Sequence, residues 1–146
     1  MNLIDFKRNL EKIKNGNESF VFSLSEGADD LIFKEVEERL KLTIPDKTKE
    51  FYRFHNGFKT LQPDFELFSI ENWILLENKE IHFATFDNKI KVYLKSSIIN
   101  SANQWTIITH DPEYKITLTM GSFWSNKIWK WLRYERAIWC DEFKKE

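Results

Sequence analysis

Apolar residues open the chain at helical spacing. Leu3, Phe6, Leu10 and Ile13 recur every three or four positions, while Lys7, Arg8, Glu11 and Lys12 fill the opposite side. This pattern predicts an amphipathic helix, ended by Asn15-Gly16, which tolerate the left-handed conformation at a helix C-terminus. Phe20, Phe22 and Leu24 then alternate as a short strand. The polar run Ser25 to Asp30 suits a helix start, where free N–H groups favour carboxylates. A helix is expected from about Asp29 to Leu40, with Ile32, Val36 and Leu40 inward. Pro45 opens the next, Asp46 to His55, with Phe51 and Phe54 inward, and Asn56-Gly57 closes it.

The period then shifts toward two. Expected strands carry Phe65, Leu67 and Ser69; Ile81, Phe83 and Thr85; Ile90, Val92 and Leu94; and Trp105, Ile107 and Thr109. Asp87-Asn88 makes one turn, and His110 to Glu113 makes a tight loop before Tyr114, Ile116 and Leu118. A last helix begins near Ser122 with Phe123, Ile128, Trp131 and Leu132 on its apolar face, and Tyr134 to Phe143 extends or follows it. Helices, a strand meander and a final helix define an α+β domain with a mostly antiparallel sheet, not a βαβ fold. The expected core is Ile32, Val36, Leu40, Phe51, Phe54, Phe83, Val92, Ile107, Leu118 and Phe123.

Composition narrows the class. The chain has 146 residues, 42% apolar and 31% charged, with a net charge of −1. These values exclude a disordered polyelectrolyte, and the length suits one domain over 1–146 with a core of its own. No linker or repeat divides it, and no apolar run is long enough to span a bilayer. The N-terminus lacks a signal-peptide pattern and Cys140 is alone, so a reduced cytoplasmic protein is expected. Charge is uneven. Residues 1–80 hold 16 acidic against 12 basic side chains, and residues 81–146 hold 7 against 10. An acidic face built mostly by the first half is therefore expected.

Catalytic signatures are sparse. His55, His82 and His110 have no second ligand at metal spacing; they read as surface or cap histidines, His55 as a cation at a helix C-terminus. There is no nucleophile elbow, phosphate-binding loop or dinucleotide fingerprint. An enzyme would have to use Cys140 with a histidine, or an acidic pair. Glu35, Glu37 and Glu38 read as the wet face of their helix. No cofactor or metal is expected.

Several segments together resemble the SUKH superfamily, which includes the Smi/Knr-like domains. They are Phe22-Ser23-Leu24-Ser25-Glu26-Gly27-Ala28, then Ile32, Val36-Glu37 and Leu40, Leu42-Thr43-Ile44-Pro45, Lys49-Glu50-Phe51 and His55-Asn56-Gly57. Ile81-His82-Phe83-Ala84 and Met120-Gly121-Ser122-Phe123 follow in the same order. The resemblance spans about residues 19 to 135. The turn Asp87-Asn88 stands where family members often carry glycine. The resemblance implies a non-enzymatic binding protein: an immunity protein that blocks a cognate polymorphic toxin, often a nuclease, or alternatively a regulatory scaffold of the Smi/Knr-like kind. Neither role calls for nucleic acid, membrane or a small-molecule substrate.

Two sets of side chains are candidates for that contact. The carboxylates Glu26, Asp29, Asp30, Glu66, Glu71 and Glu77 would complement a basic phosphate-binding groove. The aromatic content, 16% with 13 Phe and 6 Trp, exceeds what a small core requires. Trp124, Trp131 and Trp139 share one helical face, while Phe123 and Trp129 point elsewhere. Core burial accounts for most of these rings; Trp129 and Arg133, near Tyr134 and Arg136, are candidates for an interface because Trp, Tyr and Arg are enriched at binding hot spots.

Overall fold

The computed structural model describes residues 3–110 and 113–135. Helix α1 (Leu3–Gly16) buries Phe6, Leu10 and Ile13, the apolar stripe of the sequence. Strand β1 (Val21–Leu24) follows, then α2 (Asp30–Leu40) and α3 (Asp46–Phe54). Asp29 caps α2, its carboxylate accepting the Ile32 N–H at 2.9 Å, a contact that contributes about 1 kcal/mol. Pro45 stands at the start of α3 as expected.

The rest of the sheet is a meander: β2 (Phe58–Leu61), β3 (Phe65–Leu67), β4 (Glu80–Phe86), β5 (Ile90–Lys95), β6 (Thr106–His110) and β7 (Glu113–Thr117). A 3₁₀ turn, Ile70–Asn72, lies between β3 and β4. All seven strands pair antiparallel in chain order, from β1 to β7. The fold is therefore α+β, with the C-terminal helix after the sheet. That helix opens at Met120–Ser122, widens to π geometry over Phe123–Ile128, where the Trp129 N–H reaches the Trp124 carbonyl, and returns to α over Trp129–Tyr134.

One face of the sheet meets the helices. Phe6 packs on Phe58 and Trp124, with ring centroids 5.1 and 4.4 Å apart, and Phe83 packs on Phe123 at 5.4 Å. Burying each such ring contributes roughly 2–3 kcal/mol. Trp73, Trp105, Trp124 and Trp131 all enter this core, so most of the aromatic surplus is interior. The widened turn helps turn Phe123, Trp124, Ile128, Trp131 and Leu132 inward together. Trp139 and the segment after Glu135, including Cys140, lie outside the described residues, as do Asp111 and Pro112.

Several expectations are corrected. Phe33 and Tyr52 are fully buried, whereas Ile32, Phe54 and Leu118 are half-buried. For α2, stripes 33/36/40 and 32/36/40 both fit helical spacing; packing selects the first. Strand β2 alternates in burial, but its inward Thr60 is polar and its outward Leu61 apolar, so the sequence pattern does not announce it. Ser69 is not in a strand; its hydroxyl donates to the Asn56 carbonyl at 2.7 Å. Thr85 faces outward, because the register of β4 on β5 shifts between His82 and Ala84. The bulge sends Ile81, Phe83, Ala84 and Phe86 all toward the core. The Asp87-Asn88 turn is as expected: φ is 54° and 55°, a left-handed pair that Asp and Asn adopt without glycine.

Candidate interaction surfaces

The first surface is the corner where α2 begins and α3 ends. Residues 25–28 run beside 52–57: the Ala28 N–H donates to the Tyr52 carbonyl at 2.9 Å, and the Asn56 N–H to the Glu26 carbonyl at 2.9 Å. Gly27 is required, since a Cβ there would meet the Arg53 carbonyl oxygen at 1.9 Å. Asn56 is the hub of the corner. Its Oδ1 accepts the Ile70 N–H at 2.9 Å and its Nδ2 donates to the Glu71 carboxylate. Arg39 donates to the Glu71 and Trp73 carbonyls, tying α2 to the 3₁₀ turn. Gly57, at φ 92°, closes the corner beneath the Leu67 carbonyl.

Glu26, Asp29, Asp30 and Glu71 are exposed on this corner. Asp30 pairs with Arg53 at 2.7 Å, and this hydrogen bond holds its carboxyl below the usual range. Arg53 also lies 5.2 Å over the Phe33 ring. Glu37 does not belong to the wet face. It is half-buried, accepts the Ile44 N–H at 2.7 Å and pairs with Lys49 at 3.3 Å, fastening the turn before Pro45.

The other candidates lie elsewhere. Glu66 is on the outer face of the sheet, flanked in register by Lys59 and Thr85. Glu77 is exposed in the loop before β4. Trp129 is half-buried beside Trp124, and the Arg133 guanidinium lies 5.6 Å from both the Trp129 and Tyr134 rings. The carboxylates therefore divide between a corner, a sheet face and a loop.

His55 is not a helix-end cation. Its backbone is extended and its ring is fully buried against Phe6 and Phe51, centroids 4.5 and 4.7 Å away. Nδ1 accepts the Gly57 N–H at 3.3 Å, and Nε2 has no hydrogen-bond partner among the described residues. Burial pushes its pKa down to about 3, so the ring is neutral.

The second surface, which the sequence did not reveal, is the outer face of the sheet. Phe68, His82, Tyr93 and His110 form a ladder of rings, with successive centroids 4.9, 5.4 and 5.2 Å apart. His82 Nε2 bonds the Ala84 carbonyl and the Thr85 hydroxyl, and burial pushes its pKa down. His110 bridges two carboxylates: Nε2 is 2.5 Å from Glu80 and Nδ1 is 2.8 Å from Glu113. The Glu80 hydrogen bond, then that of Glu113, raises the His110 pKa. With both nitrogens protonated, each donates to one carboxylate. Strand alternation could have placed His82, Tyr93 and His110 on one face, but the His110–Glu80 contact joins residues thirty apart.

Among the described residues, no group of three His, Cys, Asp or Glu side chains is arranged to hold a metal ion. No described helix is long and apolar enough to cross a membrane. Comparison with models of known protein families finds none that matches the chain, and no curated protein matches it in sequence.

Proposed function

We propose that this chain is a non-enzymatic immunity protein of the SUKH kind, acting in the cytoplasm, which binds a cognate polymorphic toxin and blocks its active site. The observation that carries the reading is the α2–α3 corner. Several residues that carry the family resemblance have structural roles there: Glu37 and Pro45 hold the turn between the helices, and Asn56-Gly57 hold the hub. That frame presents Glu26, Asp29, Asp30 and Glu71 at one rim. A rim of carboxylates, with Asp29 and Glu71 held in place and Asp30 paired to Arg53, suits a basic, phosphate-binding groove such as a nuclease active site. Complementary charge speeds encounter and rejects wrong partners, while the bulk of the domain excludes substrate.

The test is affinity capture from the native host with the full chain as bait, followed by co-expression. A polymorphic toxin, or its C-terminal domain, is expected at near-equal amount, and co-expression of the chain should rescue growth. Recovery of signalling or cell-wall enzymes instead would move the reading to a regulatory scaffold. Failure to recover any stoichiometric partner would overturn it.

A further inference from the structure

The outer face of the sheet combines apolar surface with unpaired positive charge. At one end, Phe68, His82, Ile74 and Leu76 line a groove of about 320 Å³, and Ile74 is 67% exposed. An exposed strand-and-loop surface with clustered apolar side chains is an association liability unless a partner uses it. From this groove the ring ladder crosses to β6.

Charge on the same face identifies the partner. Glu80 and Glu113 are both engaged by His110. Lys91 and Lys95 on β5 and Lys115 on β7 are exposed, and among the described residues none has a carboxylate within 4 Å. Glu66 and Lys59, cross-strand neighbours on β3 and β2, offset one another in charge, so the remaining free charge of the face, on Lys91, Lys95 and Lys115, is positive. A nucleic acid fits it less well than a protein does. The groove at the apolar end is walled by the aliphatic side chains of Ile74 and Leu76, which give bases no stacking platform and suit the apolar side chains of a protein segment.

We propose that the outer face of the sheet docks an acidic segment of a partner protein, whose carboxylates pair with Lys91, Lys95 and Lys115 while its apolar side chains enter the groove beside Phe68 and His82. The surface is separate from the carboxylate corner and opposite to it in charge, so the inference does not depend on a toxin being the partner.

The probe is a synthetic peptide alternating Asp with Phe and Leu, titrated into the ¹⁵N-labelled full chain. Controls are the same peptide with Asn for Asp and a single-stranded oligothymidine. Amide shifts are expected in β4, β5, β6, β7 and residues 74–76 with the acidic peptide. The Asn peptide should bind about tenfold or more weakly. Lys91→Gln with Lys95→Gln should weaken the acidic peptide by a similar factor while keeping a dispersed spectrum. Ile74→Asp, at an exposed loop position, tests the apolar half separately and should also weaken binding severalfold. Four results would overturn the inference. They are no shifts at about 1 mM peptide, shifts centred on residues 26–30, equal or tighter binding of the oligonucleotide, and concentration-dependent dimerisation through this face without peptide.

Discussion

At the α2–α3 corner, backbone is held to backbone, directly and through the side chains of Asn56 and Arg39. Gly27 lies against the Arg53 carbonyl, Asn56 gathers the Glu26 carbonyl and the Ile70 N–H, and His55 is sealed beneath them without charge. On the outer face of the sheet, side chains hold side chains: Glu80, His110 and Glu113 meet through a shared proton-bearing ring, and their backbones belong to strands that would stand without them. The corner has almost no freedom to change, while the sheet face can be rewritten at little structural cost. Two kinds of surface thus coexist, one whose shape is fixed and one whose chemistry is adjustable.

The hardest way to break this contrast is to add one carbon at the corner. Gly27→Ala should lower stability by more than about 4 kcal/mol or abolish folding, because the clash is with backbone. Gly121→Ala, where nothing lies within 4 Å of the added carbon, should stay within about 1 kcal/mol. Denaturant midpoints of the two variants decide; equal losses would mean that the corner is not rigid.

Acid should come next. His55 has a lowered pKa in the folded state, so its neutral form is compatible with full stability above the unfolded value of about 6.5. Below that, the unfolded chain binds a proton that the buried ring refuses until about pH 3. The loss should reach about 2–3 kcal/mol near pH 4.5, and His82 adds in the same direction. His55→Phe should flatten this acid limb, at a lower baseline because the Gly57 N–H loses its acceptor. An unchanged limb would assign the acid sensitivity elsewhere.

The sheet face should give the smallest effect, with the opposite sign. The raised pKa of His110 means that its stabilisation is complete below about 6.5 and is lost as pH rises through the raised value. The effect is modest because the ring is partly exposed. Midpoints measured from about pH 7 to 9 should decline slightly in the native chain and stay level in His110→Phe. Together the histidines predict a stability maximum whose acid side is set mainly by His55 at the corner, with His82 adding to it, and whose alkaline side is set by His110 on the sheet.

Much of the fold was legible because its signals are local. The α1 stripe, Pro45, Asn56-Gly57 and the Asp87-Asn88 turn each act within a few residues. What escaped depends on register or on distant packing. Phe33 replaces Ile32 in the core because tertiary contacts choose between two stripes of similar spacing, and the β4 bulge turns Ala84 inward through a shift that alternation cannot show. The candidate surfaces follow the same rule. Glu26, Asp29 and Asp30 were visible as neighbours in sequence, and Glu71 joins them only through the long-range bonds of Asn56 and Arg39. Phe68, His82, Tyr93 and His110 became one ladder only once three strand registers were fixed.

The chain-order pairing of the sheet has an evolutionary consequence. Each strand lies beside the strands that precede and follow it. A change of length in one hairpin loop therefore need not slide distant strands past each other, and the entropic cost of a longer surface loop rises slowly. Outward positions form rows that step across the strands, as Lys59, Glu66, Thr85 and Lys91 do. Descendants of such a chain could acquire new recognition one rung at a time, while the inward row, and with it the fold, passes unchanged from one version to the next.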